Sequence, residues 1–298
     1  MRVLLLGALG QLGRHLQAVC PPSVELLVSS RSDALHACDL SDREAVVGLL
    51  DQLEPAVILN AAAWTAVDAA EECTEQAHRL NAELPGWLAN WCARRSRGLI
   101  TYSTDYVFSG EPGRPWREND RPAPRSVYGQ SKLEGERRVA ASGANSAVIR
   151  TAWVYSHLKG NFLSAILARA ADGGPLTVVS DQQGSPTWAG DLAAVSWALL
   201  ARWQQLPAGM TLFHAAGASP MSWHAFATLA VSYAKKAGLI AAPVDVKPID
   251  SSQWLQRAER PCWSVLDSSR IEQMTGHSMM TADKALEACL KQWRPTPS

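Results

Sequence analysis

The sequence predicts an α/β protein, a doubly wound parallel sheet followed by a smaller C-terminal substrate-binding lobe. Three observations carry this. From residue 2 to residue 150, short apolar runs alternate with stretches of helical spacing, as in strands buried on both faces and joined by crossover helices. The first apolar run ends in a glycine-rich turn that opens a helix. After Arg150 the alternation loosens, and loops such as Gly173-Gly174-Pro175, Gly184-Ser185-Pro186 and Gly217-Ala218-Ser219-Pro220 separate the elements.

Residues 2–6 form the first strand, and the turn Gly7-Ala8-Leu9-Gly10-Gln11-Leu12-Gly13 leads into a helix ending near Ala18. Residues 24–28 are the second strand. Val46, Leu49, Leu50 and Leu53 share one helical face, with Ser41 as the expected N-cap. Residues 55–60 are the third strand. A long helix is expected over 75–95, with Pro85-Gly86 as an interruption. Residues 99–103 and 147–150 are the fourth and fifth strands, and the helix between them, 125–141, carries Tyr128 and Lys132. Further on, helices are expected at 161–171, 189–203, 224–236 and 282–293, and strands at 176–179, 212–215 and 244–248. Residues 1–150 thus read as a dinucleotide-binding domain and 151–298 as the substrate lobe, with parts of 175–215 returning to the first.

The chain has 298 residues, 47% hydrophobic and 19% charged, with zero net charge. That balance gives no reason to expect nucleic acid or a membrane surface as a partner. No apolar run approaches the ~20 residues that span a bilayer. Cys20, Cys38, Cys73, Cys92, Cys262 and Cys289 form no C-x-x-C pair, so the expectation is reduced thiols in a cytoplasmic protein and no metal site.

The glycine turn lets backbone N–H groups approach a pyrophosphate at a helix N-terminus, a Rossmann-type arrangement. Gly7, Gly10 and Gly13 are its glycines. The second strand ends Ser29-Ser30-Arg31 with no acid before Asp33. A carboxylate there would hold a ribose hydroxyl, whereas Arg31 suits a 2′-phosphate, so NADPH is favoured over NADH. Asp39-Leu40 is a candidate adenine contact. The small residues of Asn60-Ala61-Ala62-Ala63-Trp64-Thr65 would let a cofactor lie flat over the third strand, and would equally suit packing under a helix.

The central set is Ser103-Thr104-Asp105-Tyr106 before Tyr128-Gly129-Gln130-Ser131-Lys132. Tyrosine ionises near 10 and would have to come down by roughly three units, about 4 kcal/mol, to exchange protons at neutral pH. A lysine one helical turn away would supply part of that. Thr104 could complete a hydrogen-bonded triangle around a carbonyl oxygen. Tyr155 and Lys159 repeat the spacing, but with no helix and no strand-end hydroxyl, so Tyr155 reads as packed or substrate-facing.

The chain resembles the extended short-chain dehydrogenase/reductases over its whole length, through residues 7–13, 60–68, 103–108, 128–132, 150–155, 181–187 and 260–264. Among them it is similar to the reductases of 4-keto-sugar nucleotides. The resemblance implies NADPH-dependent reduction of the carbon-4 ketone of a thymidine-diphosphate 6-deoxy-4-keto sugar. Tyr128 would be the acid, Lys132 its activator and ribose contact, and Thr104 the hydroxyl that orients the carbonyl. Gly10, Gln11, Leu12, Ser30, Asp39, Leu40, Ala63, Trp64, Thr65 and Tyr102 fall on cofactor positions, Asp105 and Trp153 on sugar positions, and Arg260 suits the diphosphate. Related dehydratases carry Asp-Glu at the strand end, and Tyr106 in place of that Glu points away from elimination. Some members dimerise around magnesium held by glutamates. Here His15 and Gly190 stand in such places, so no resident metal is expected and a homodimer stays open. Two alternatives remain. One is a reductase or epimerase of another 4-keto-sugar nucleotide; the other is a regulatory subunit resembling the β subunit of methionine adenosyltransferase.

Overall fold

A computed structural model describes residues 1–30, 36–111, 113–241 and 244–293, and all structural statements concern these residues. Arg31 lies outside them. Strand β1 (Arg2–Leu6) turns into α1 (Gln11–Ala18), followed by β2 (Glu25–Ser29), α2 (Arg43–Leu53) and β3 (Val57–Asn60). Next come α3 (Val67–Ala70), α4 (Thr74–His78), a π-helical turn (Arg79–Glu83), α5 (Leu84–Arg95), β4 (Gly98–Thr104), α6 (Val127–Ala141) and β5 (Ser146–Thr151). Beyond it lie β6 (Val154–Tyr155), α7 (Phe162–Ala171), β7 (Leu176–Val179), β8 (Gln183–Gly184), β9 (Thr187–Trp188) and α8 (Ala189–Ala201). The chain continues with β10 (Met210–His214), β11 (Met221–Ser222), α9 (Trp223–Lys236), β12 (Val246–Ile249), α10 (Ser269–Thr275) and α11 (Ala282–Lys291).

Six strands form one parallel sheet in the order β10-β5-β4-β3-β1-β2. The apolar run of β1 serves both faces. Val3 and Leu5 join one core with α1 and α8, while Leu4 and Leu6 join another with α2 and α5. Pleating sends alternate side chains to opposite faces, so only a continuous apolar run can fill both.

Several expectations are corrected here. Strand β7 pairs with β12 and not with the main sheet, whereas β10 does join it, at the edge beyond β5. Helix α8 packs into the main core through Leu192, Val195 and Leu199. The cap of α2 is Asp42, which accepts from the amides of Glu44 and Ala45; Ser41 instead donates to Asp39. A carboxylate at that place also favours the helix dipole. The helical run 74–95 is not broken at Pro85-Gly86. Pro85 sits in the first turn of α5, where a missing N–H costs little, and the irregularity is the π turn just before it.

A separate core holds the later elements together. Tyr155, Leu163, Ile166, Phe226, Ala230 and Leu286 are among its buried members. All six cysteines are free. No helix among the described residues is long and apolar enough to cross a membrane, and no cluster of three or more His, Cys, Asp or Glu side chains among them could hold a metal ion.

Candidate active site

The carboxyl ends of β1, β2 and β3 lie together on one edge of the sheet. There the glycine turn, the 61–64 segment, Ser30 and residues 39–43 line a cleft of about 1200 Å³. Gly7 has φ of +76°, and a Cβ on it would lie 2.5 Å from the amide nitrogen of Ala62. Only glycine permits that approach of β1 to the end of β3. No side chain caps the N-terminus of α1, so its first amides stay available to an anion. That cradle fits the pyrophosphate of a dinucleotide, with Gly7, Gly10 and the backbone of Gln11–Gly13 around it.

The expected cofactor positions divide. Gly7, Gly10, Ser30, Asp39, Leu40, Ala63 and Trp64 line the cleft. Leu12 and Tyr102 turn their side chains into the core, and the Tyr102 hydroxyl donates to Ser196 at 2.8 Å; these two could meet a ligand only through the backbone. The side-chain oxygen of Gln11 accepts from Ser156 at 2.7 Å, tying the glycine turn to the chain beyond β6. Thr65 is exposed beside the cleft. Arg43 and Arg79 also line it. Sequence reasoning missed both, and the only signal was their place just after Asp42 and within the 75–95 helix.

Helix α6 is pressed against the end of β4. A Cβ on Gly129 would fall 2.2 Å from the Tyr106 carbonyl oxygen, and one on Gly135 would fall 2.1 Å from that of Asn81. The Ser126 hydroxyl caps the helix by accepting from the Gly129 amide, and Glu71 accepts from the Val127 amide. Tyr128 is thereby set edge-on to Tyr106, ring centroids 5.9 Å apart. The Thr104 hydroxyl donates to Asp105 Oδ1 at 3.0 Å and accepts from the Tyr106 amide. Asp105 is 2% exposed. Burial pushes its carboxyl up to about 7, with Ser264 and Thr104 opposing.

One electrostatic expectation is not met. Lys132 donates to the Tyr102 carbonyl at 2.5 Å, and Tyr128 is not brought down. Burial pushes Tyr128 up to about 12; a hydrogen bond with Thr104 opposes this, and the nearby Asp105 carboxylate adds to it. The ammonium of Lys132 is itself lowered to about 8 by burial, opposed by Glu136. Tyr128 is therefore held fully protonated at neutral pH, the form an acid needs.

Beneath this set lies a buried ion pair. Glu136, one turn beyond Lys132, accepts from Arg150 Nε at 2.8 Å and Nη2 at 2.6 Å. Arg150 also stands 5.0 Å over the Phe108 ring. Asn81, on the π turn, bridges the end of β3 to α6. Its side-chain amide donates to the Trp64 carbonyl and to Ser131, and its oxygen accepts from the Trp64 amide. An isolated Asn in a helical stretch gave no such signal in sequence.

Arg260 Nη2 donates to Asp68 at 2.6 Å, while its buried Nε finds no acceptor. Asp68 also accepts from the amides of Arg257 and Ala258, and Arg257 pairs with Glu72. Trp153 packs against a small buried cluster of Val107, Phe108, Leu133, Ala152, Ala216 and Leu266. Tyr155 is 1% exposed in the second core, so it is packed, and Lys159 is exposed. Of the places considered for magnesium, His15 is buried edge-on to His157 and Trp188.

A dinucleotide-sized cleft on a glycine turn, beside a Tyr-x-x-x-Lys helix and a strand-end hydroxyl, defines the class: an extended short-chain dehydrogenase/reductase, an NAD(P)H-dependent oxidoreductase. The chain belongs to the family described as RmlD substrate binding domain, whose model matches residues 1–294. It is 36% identical over 99% of its length to a dTDP-4-dehydrorhamnose reductase of Streptomyces griseus, covering 97% of that protein. It is also 36% identical over 91% of its length to a probable dTDP-4,6-dihydroxy-2-methyloxan-3-one 4-ketoreductase of Streptomyces antibioticus, covering 88% of it. The crystal structure of dTDP-4-dehydrorhamnose reductase from Bacillus anthracis in complex with NADP superposes with a TM-score of 0.88 at 28% identity, over 98% of this chain and 99% of that one.

Proposed function

We propose that this protein reduces the carbon-4 ketone of dTDP-4-dehydro-L-rhamnose to give dTDP-L-rhamnose, with NADPH as the cofactor. The observation that carries the reading is the end of β4. Thr104 and Asp105 lie beside Tyr128, and the buried Tyr106, edge-on to it, stands in sequence where related dehydratases carry Glu. One acid without a partner base suits protonation of a reduced carbonyl.

The reduced nicotinamide, when bound, supplies a hydride to the ketone carbon. The chain does the rest. The amides at the start of α1 hold the pyrophosphate, and Ser30, with Arg31 from sequence, selects the 2′-phosphate. Thr104 and Asp105 orient the carbonyl. Tyr128 gives its proton to the forming alkoxide, and Lys132 holds the ribose. Arg260, with one N–H unclaimed, binds the diphosphate. Residues 1–150 with α8 and β10 carry the cofactor, and the remainder carries the sugar nucleotide.

The Streptomyces antibioticus relative, named for a different 4-keto sugar, favours a second reading in which another sugar of this kind is reduced. Substrate trials separate the two. NADPH absorbance should fall with dTDP-4-dehydro-L-rhamnose far faster than with other dTDP-4-keto sugars or the uridine analogue. A faster loss with one of the others reassigns the substrate. Co-purification with a partner and no NADPH oxidation would replace both with the regulatory reading.

A further inference from the structure

Between β12 and α10 the chain leaves the later elements and returns to them. It departs beside Asp181, which accepts from the Ser251 amide at 3.1 Å and from the Ser251 hydroxyl at 2.6 Å. It returns beside Gln183, whose amide donates to the Cys262 carbonyl at 2.7 Å. The segment between is a strap, and its middle is fastened to the cofactor side. Asp68 Oδ1, on α3, accepts from the amides of Arg257 and Ala258 at 3.2 and 3.1 Å, and Oδ2 accepts from Arg260 Nη2 at 2.6 Å. Arg257 also pairs with Glu72, and Glu259 with Arg125. Glu71, from the same acidic stretch, accepts from the Val127 amide. Residues 68–72 thus hold both the strap and the start of the helix that carries Tyr128.

The returning arm of the strap runs along the chain that follows β4. Pro261 is seated on Gly110, where a Cβ would come within 2.6 Å of Pro261 Cα, and the Trp263 amide donates to the Gly110 carbonyl at 3.1 Å. Ser264 stands close enough to Asp105 to favour its carboxylate. Burial pushes the Tyr106 hydroxyl up and the Arg260 guanidinium opposes it, so Arg260 stands near the ring that lies edge-on to Tyr128.

Arg260 is 24% exposed at its side chain, and its buried Nε–H has no acceptor among the described residues. Leaving that N–H buried and unmatched costs free energy that a ligand oxygen would recover. The guanidinium is planar, so a grip on Nη2 also sets where Nε–H points. Asp68 is fit for such a grip. Burial raises its carboxyl, but the Ala258 amide and the Arg260 guanidinium outweigh that and hold it below the usual carboxylate range. The two strap amides on Oδ1 keep it from turning away.

We propose that Asp68 is a positioning residue for the sugar nucleotide: by holding Nη2 it fixes the plane of Arg260 so that Nε–H meets the diphosphate. The proposal rests on the proposed function, which brings a diphosphate to Arg260.

The test is calorimetric binding of dTDP and of NADP⁺. In Asp68→Asn the remaining oxygen still accepts from the strap amides, but an amide nitrogen faces Arg260 and the grip is lost. The dTDP affinity, measured on enzyme saturated with NADP⁺, should fall about tenfold, the scale of one hydrogen bond to a charged group. The KM for the sugar nucleotide should rise alike with kcat unchanged, and NADP⁺ affinity should stay as it was. Arg260→Ala weakens dTDP by itself, and Asp68→Asn added to it should cost nothing more. A merely structural Asp68 behaves differently. α3 follows closely on Trp64 of the cofactor cleft, so a disturbed α3 weakens NADP⁺ as well, and the loss of dTDP affinity persists without Arg260; either result overturns the proposal. Unchanged dTDP affinity in Asp68→Asn overturns it too, and a tighter one makes Asp68 a competitor for the guanidinium instead of its holder. If wild-type enzyme saturated with NADP⁺ binds neither dTDP nor dTDP-L-rhamnose, the proposed function fails and takes this inference with it.

Discussion

The substitution Glu136→Gln tests how the site is underpinned. Glu136 and Arg150 form a bidentate pair at 2.6–2.8 Å, with side chains 6% and 2% exposed. A glutamine fits the space but leaves the guanidinium buried without its counter-charge, which costs about 3–5 kcal/mol. At roughly 2.1 cal/mol/K per residue, unfolding of a chain of 298 residues has an entropy near 0.6 kcal/mol/K, so the melting temperature should drop by about 5–8 °C. Replacing both partners, Glu136→Met with Arg150→Met, should recover most of that loss. The charge also acts upward on Lys132, whose ammonium burial lowers to about 8 against the pull of Glu136. Removing it lowers that pKa further, so the alkaline limb of kcat/KM should move to lower pH in Glu136→Gln. Scanning calorimetry and a pH–rate profile read the two effects. A melting shift under about 2 °C with an unmoved limb would refute the reasoning.

Three further outcomes are expected. Asp105 has a folded pKa of about 7 against 3.8, so the folded state binds more protons between those values, and stability falls as pH rises through that window. The penalty above it is roughly 4 kcal/mol. The melting temperature of Asp105→Asn relative to wild type should therefore climb from pH 4 to pH 8, and a constant difference would count against the buried carboxyl. Gly129→Ala puts a methyl into the Tyr106 carbonyl and must displace Tyr128; an ångström of misplacement costs about 100-fold in kcat, and a rate within twofold of wild type would contradict the packing. Arg31→Asp should raise the NADPH dissociation constant and spare that of NADH, and fluorescence titration with both cofactors would reveal an unchanged preference.

What the sequence disclosed follows from which signals are local. The strands of the main sheet could be read because β1, β3, β4 and β5 are buried on both faces, which demands continuous apolar runs. The Gly7 turn was legible because a positive φ against a neighbouring strand needs glycine. Thr104, Asp105 and Tyr128 were placed together because a strand end and a helix start lie close along the chain. The rest depends on contacts between distant segments. That β7 pairs with β12 while β10 returns to the main sheet is a choice of partner that a short apolar run does not encode. The π turn that aims Asn81 at Ser131 and the pairing of Arg260 with Asp68 join residues far apart in sequence. The lysine's expected hold on Tyr128 failed for a related reason. Spacing of four residues puts two side chains on one face, but the nearest acceptor to Lys132 is the Tyr102 carbonyl, contributed by β4.

The central claim is that Tyr128, on α6 beside Thr104 at the end of β4, protonates a carbonyl reduced by NADPH. Comparing the NADPH-dependent turnover of dTDP-4-dehydro-L-rhamnose by wild type and Tyr128→Phe, with NADPH affinity measured alongside, tests it most directly. A loss of 100-fold or more in kcat, about what a general acid contributes at least, with unchanged NADPH affinity is the predicted result. A Phe variant turning over near the wild-type rate would contradict it.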